Sequence, residues 1–208
     1  MRLLLLLPLA ACGHVGALRQ VNLVGQCAET DVACSRRHPI APIAIGAKFF
    51  PEVSSDAAGS STPNLVLESA VPSVIAVEDG ALVAKSPGTS AVLISTDDGS
   101  VVDFIHMWAA PVTKVTLSKR DGDRIGAQIG LAVGEDLTLQ PALWNGAQKL
   151  AGEGQVTWTS SGGDAGPVAI LRDGSVDRRR LRARAAGKVT ITVALGDTKT
   201  DVEIEVVP

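Results

Sequence analysis

Leu181-Arg182-Ala183-Arg184-Ala185-Ala186-Gly187-Lys188-Val189-Thr190-Ile191-Thr192-Val193 lies without gaps against residues 82–94 of the same chain. The two stretches share leucine at Leu82/Leu181, alanine at Ala84/Ala183 and glycine at Gly88/Gly187, at a constant offset of 99 residues. Working outward, Leu65 to Ala70 aligns with Val156 to Ser161 at an offset of 91. Ala44-Ile45-Gly46 matches Ala132-Val133-Gly134 at 88, and Val21-Asn22-Leu23 matches Val115-Thr116-Leu117 at 94. The order is kept and the spacing drifts only as loop insertions require. One unit is used twice.

Each unit reads as β. Val189-Thr190-Ile191-Thr192-Val193 and Val202-Glu203-Ile204-Glu205-Val206 alternate apolar and polar residues, the period of a strand with one buried face. Asp79-Gly80, Pro87-Gly88, Asp98-Gly99, Asn145-Gly146, Asp173-Gly174 and Gly196-Asp197 supply turn chemistry between such runs. No stretch after the N-terminus sustains a capped helical period. About seven short strands in roughly 95 residues describe a two-sheet sandwich, so the fold class is all-β with two tandem β-sandwiches. The expected core of the second comprises Trp158, Val168, Ile170, Val189, Ile191 and Val193, with Trp158 between the sheets. In the first, Leu67, Val74, Ala76, Val92 and Ile94 take the corresponding places.

The chain of 208 residues is 46% hydrophobic and 20% charged, enough apolar material to bury a core. Its six aromatic residues include no tyrosine, which argues against a base-stacking platform or an aromatic-lined sugar cleft. The formal charge of −3 gives no reason to expect a polyanion partner for the whole chain.

Met1-Arg2 carries positive charge, residues 3–9 are apolar apart from Pro8, and Leu9-Ala10-Ala11-Cys12 follows. Such a run is too short to span a bilayer of about 30 Å as a helix and reads as an export signal. The tetrapeptide resembles the lipobox of bacterial lipoproteins. That resemblance implies that residues 1–11 are a signal peptide, that Cys12 is lipidated, and that residues 12–17 form a tether. Gly13 in place of an aspartate implies passage to the outer membrane. With Cys12 assigned to lipid, Cys27 and Cys34 remain as an even pair in an oxidising compartment, flanking a six-residue loop. A structural disulfide is the expected reading; a metal site would need two further ligands, and only His38 is near.

Residues 111–208 resemble a bacterial immunoglobulin-like domain of group 2. The landmarks are Val115-Thr116-Leu117, Leu131-Ala132-Val133-Gly134-Glu135, Val156 to Ser161 with Trp158 central, Val168-Ala169-Ile170, and Ala186 to Val193. Residues 18–110 resemble the same module more weakly: Pro72 to Val77 and Ser86 to Val92 fit, while Leu67 stands where the tryptophan is usual and the Cys27–Cys34 stretch enlarges the first connection. The resemblance implies spacer, adhesin-stalk or partner-binding roles. Architecture follows from it far better than activity.

Chemistry is sparse. His14, His38 and His106 lie apart, none in a nucleophile motif, and no Gly-x-Ser-x-Gly or phosphate loop occurs. Asp121-Gly122-Asp123 could offer oxygens to calcium, but Asp and Gly are also what turns use by default. No enzyme, cofactor or metal site is expected.

One electrostatic feature stands out. Residues 18–110 hold five basic against ten acidic residues, whereas residues 111–208 hold thirteen against twelve. Seven of those basic residues fall between Arg172 and Lys188. A strand would place Arg180, Arg182 and Arg184 on one face as a ribbon of guanidinium forks. This strip is the candidate anion- or partner-binding site, and the same charges would also blunt edge pairing. The partners expected are the membrane, through the lipid, and an envelope protein or anionic glycan. Nucleic acid is not expected. The function expected is a non-enzymatic adhesion or interaction module, with a structural spacer or accessory subunit as the alternative.

Overall fold

A computed structural model describes residues 18–25, 41–57, 64–120 and 122–208. Residues 1–17, where the export signal, Cys12 and the tether are expected, and the expected Cys27–Cys34 pair lie outside the described residues. The strands of the first half are β1 (Leu18–Gly25), β2 (Ile43–Ala44), β3 (Ala47–Phe49), β4 (Pro51–Ala57), β5 (Leu65–Ser69), β6 (Ile75–Glu78), β7 (Ala81–Ala84), β8 (Gly88–Thr96) and β9 (Val101–Ala110). Those of the second half are β10 (Lys114–Lys119), β11 (Gln128–Ala132), β12 (Asp136–Asn145), β13 (Gln148–Lys149), β14 (Glu153–Gly154), β15 (Thr157–Ser160), β16 (Val168–Asp173), β17 (Ser175–Ala183), β18 (Gly187–Leu195) and β19 (Thr198–Val207). The described residues contain no helix. The fold of the described residues is all-β.

The two halves share a pattern of strand pairing. β2–β9–β8–β5 in the first half has the same order and sense as β11–β19–β18–β15 in the second, each opening with a parallel pair. The facing sheets run β3–β7–β6 and β12–β17–β16. β12 pairs β17 through Asp136 to Leu139 and β10 through Leu139 to Trp144. In the first half two strands share the part that β12 plays alone. β3 pairs β7, and β4 pairs β1, with the strand interrupted at Phe50-Pro51. A proline at that junction starts a new strand without spoiling a central ladder. The repeated glycines also share a backbone state. Gly88 and Gly187 sit at φ of 145° and 148°, where a Cβ would meet Val74 at 3.3 Å and Pro167 at 3.5 Å.

The core follows the period-two pattern. Leu181, Ile191, Val193 and Ile204 are fully buried in the second half, as are Leu82, Val92 and Ile94 in the first. Val168 and Val189 join them. Trp158 and Ile170 are only half-buried against this core, because β15 and β16 are sheet edges whose inner faces look onto an open flank. Leu67, on the equivalent edge strand β5, is half-buried for the same reason. At the start of β6 it is Ile75 that is fully buried, while Ala76 and the preceding Val74 are half-covered, a register one residue away from the expectation. Three small or apolar residues in succession leave the inward side undecided without the pairing partner.

The halves are joined by more than a linker. β14, from the second half, pairs antiparallel with β3 of the first (Glu153 with Lys48, Gly154 with Ala47) and extends that sheet to β14–β3–β7–β6. Ala151 donates its N–H to the Pro42 carbonyl and accepts the Ala44 N–H, both at 2.9 Å. Leu150, Ala151, Ile43, Ala44 and Ala47 are all buried there. Small side chains on both sides let two backbones approach to ladder distance.

Candidate functional site

Register decides which arginines meet. β16 runs antiparallel to β17, pairing Val168 with Ala183, Ile170 with Leu181 and Arg172 with Arg179. Because Leu181 and Ala183 face the core, Arg179 and its partner Arg172 share that inner face, just beyond the end of the apolar packing. Arg180 and Arg182 project to the other side, whereas Arg184, just past the end of β17, lines the same cleft as Arg172 and Arg179. Beyond Arg172 the ladder slips by a bulge, and Arg178 turns back onto Asp173, its Nε 3.0 Å from the carbonyl oxygen and 3.3 Å from Oδ2.

The strip of Arg180, Arg182 and Arg184 is half-exposed to exposed, but it is not bare charge. Asp136 lies opposite Arg182 in the β12–β17 ladder. Arg182 grips it bidentately, Nε to Oδ1 at 2.7 Å and Nη2 to Oδ2 at 2.6 Å, and Arg180 approaches the same carboxylate at 3.9 Å. The Arg182 hydrogen bond, ahead of the charges of Arg182 and Arg180, holds the Asp136 carboxyl below the usual carboxylate range. Arg184 donates from Nη1 to the Asp164 carbonyl at 3.2 Å. The Asp136 contact is not legible from sequence, since that acid comes from a strand some 46 residues away in the chain.

A cleft of 820 Å³ opens along the flank between the edge strands β15 and β16. Its walls are lined by consecutive residues, Val156 to Ser160 on one side and Val168 to Ile170 on the other, so strand edges rather than strand faces form them. Arg172, Arg179 and Arg184 line it too. Trp158 spans the gap between sheets, its indole N–H donating to the Asp177 carbonyl at 3.1 Å. Burial, and then the neighbouring charge of Arg172, lower the proton affinity of Arg179 against the opposing pull of Asp177. Two guanidinium groups directly opposite each other disfavour one another. Arg172 has no acidic partner among the described residues. Arg172 and Arg179 are not recognisable as a pair in the sequence, because only the β16–β17 register brings them together.

The outer face of β9 carries a second exposed feature. Phe104, His106 and Trp108 alternate along it, with Phe104 and Trp108 54% and 53% exposed. Phe104 and His106 meet edge to face at 5.4 Å. The stripe is visible in the sequence as aromatic-x-His-x-aromatic, and its exposure is not. Among the described residues no three His, Cys, Asp or Glu side chains gather as a metal site would require, and no helix is long and apolar enough to cross a membrane. Gly122 donates its backbone N–H to the Lys119 carbonyl and Lys119 donates its own to that of Asp123.

No curated protein matches the chain. Among solved structures it is similar to domains 4 and 5 of the S-layer protein SbsC, with 16% identity, a TM-score of 0.35, and coverage of 93% of this chain and 100% of that one. The Yersinia pseudotuberculosis adhesin InvE aligns at 11% identity and a TM-score of 0.37, over 93% of this chain and 61% of the adhesin. Invasin, a bacterial integrin-binding protein, aligns at 15% identity and 0.33, over 90% and 40%. The model of the family described as the bacterial Ig-like domain (group 2) matches residues 132–206, from the end of β11 to the end of β19. A group 2 bacterial Ig-like domain is found in this chain at residues 132–206.

Proposed function

We propose that this chain is a non-enzymatic surface lipoprotein, exported and held at the outer membrane through lipid on Cys12, whose immunoglobulin-like domains act as an interaction or adhesion module. The observation that carries the reading is the arginine-rich flank of the second sandwich. Arg172, Arg179 and Arg184 line a wide open cleft, and Arg180 and Arg182 continue the positive surface around β17. Arginine forks at the mouth of a concave surface suit carboxylate, sulfate or phosphate groups. The partners this favours are an acidic envelope protein or an anionic glycan.

A spacer role is the second reading, and the shared sheet β14–β3–β7–β6 favours it. A ladder running from one sandwich into the other suits a stiff two-domain arm.

Two measurements test the proposal. Cys12→Ser should move the chain from the membrane pellet to the soluble fraction; unchanged pelleting and unchanged lipid labelling would remove the anchor. Capture of envelope proteins and glycans by the full chain should fall as salt rises, since exposed charges are screened over about 8 Å at physiological ionic strength. It should be lost when Arg180, Arg182 and Arg184 are replaced together with Arg172. Equal capture by that variant would leave the spacer reading standing.

A further inference from the structure

The flank between β15 and β16 has properties beyond positive charge. Arg184 donates its backbone N–H to the Pro167 carbonyl at 2.7 Å, which sets the alternation of the β16–β17 ladder. In an antiparallel pair, hydrogen-bonded and non-hydrogen-bonded positions alternate. Ala169 and Leu171 are therefore bonded to β17, whereas the N–H and C=O groups of Val168, Ile170 and Arg172 point away from it, toward the cleft. Among the described residues, β16 ends its sheet and has no strand neighbour on that side. The residues with outward backbone groups are also those with inward side chains: Val168, Ile170 and Arg172.

We infer that this edge of β16 is a docking site for an extended acidic protein segment, which adds to the sheet as a further strand. Main-chain hydrogen bonds to Val168, Ile170 and Arg172 would supply the affinity, and the side chains facing the cleft the selection. An antiparallel segment meets Arg172 first, then Ile170, then Val168. Its inward positions are thereby specified as acidic, apolar, apolar, each separated by one residue. The acid sits between Arg172 and Arg179 and relieves their mutual repulsion. The two apolar side chains cover Ile170 and Trp158, which the open flank leaves half-buried. Five residues in strand geometry span about 17 Å, the length of β16 that is available. An acidic glycan satisfies the arginines but leaves the aligned backbone groups and the apolar floor without a matching pattern. The inference rests on reading the chain as an interaction module.

The test uses the full chain and the capped heptapeptide Ser-Glu-Thr-Val-Thr-Val-Ser. On titration the amides of Ile170 and Arg172 should exchange at least tenfold more slowly by NMR-detected hydrogen exchange. Arg172→Ser should raise Kd at least tenfold, while Lys199→Ser, on β19 and outside the cleft, should leave it within twofold. Arg172 and Lys199 are both exposed, so neither substitution threatens the fold. Arg172→Glu should reject this peptide and accept the one with Lys in place of Glu. Absence of binding, binding indifferent to Arg172, or binding without protection at Ile170 would overturn the inference. So would Arg172-dependent binding of oligogalacturonate with no peptide binding, which would assign the cleft to glycan. Any of these results, alongside retained arginine-dependent capture of envelope material, would remove strand addition and leave the interaction-module reading intact.

Discussion

Ala44 donates its backbone N–H to the carbonyl of Ala151 at 2.9 Å, and both residues are fully buried at the meeting of the two sandwiches. The contact joins an edge strand of the first sheet system to a connection of the second. It makes the two halves share backbone hydrogen bonds as well as side-chain contacts.

Gly152 is the weak point of that joint. It sits at φ of 95°, and a Cβ there would stand 3.1 Å from both Ala47 and Ile43. Gly152→Val adds backbone strain of about 1–3 kcal/mol and pushes the surfaces apart. The expected outcome is that calorimetry resolves two unfolding transitions in the variant where the parent shows one. A single, merely lowered transition would show that the joint does not couple the sandwiches.

Trp158 combines partial burial with a hydrogen bond across the sheets. Trp158→Phe keeps most of the apolar contact and loses the indole donor to Asp177, which should cost about 1 kcal/mol in urea unfolding. Trp158→Ala should cost about 2–3 kcal/mol, less than a fully buried aromatic, because the flank is open. An alanine variant as stable as the parent would show that the flank needs no cover.

The repeat predicts paired behaviour. Leu82 and Leu181 are both fully buried at equivalent positions. Each truncation to alanine should cost about 2–5 kcal/mol. Circular dichroism melts of the two variants should show losses of similar size. A large loss for one and none for the other would break the structural equivalence of the halves.

Asp136 binds its proton less readily when folded than when unfolded, chiefly because Arg182 hydrogen-bonds to the charged form. A depressed carboxyl pKa contributes stability above the unfolded value, and that contribution disappears as pH falls through the lower folded value. Asp136→Asn should therefore lower the urea midpoint at neutral pH, with the difference from the parent closing in acid. A difference that persists unchanged at low pH would point to packing rather than charge.

The sequence by itself determined the all-β class and much of the core, because strand side chains alternate strictly and turns demand Gly, Asp and Asn. Val189-Thr190-Ile191-Thr192-Val193 could bury its apolar face in only one way. The arginines show where that kind of reading stops. Alternation placed Arg180, Arg182 and Arg184 on one face, yet the acid that engages Arg182 comes from β12, and the partner of Arg179 comes from β16. Likewise nothing local to Glu153-Gly154 marks it as a strand of the other sandwich. Such pairings are set by register between distant segments, and register follows from how whole sheets bury their apolar faces together. Only the tertiary structure decides that.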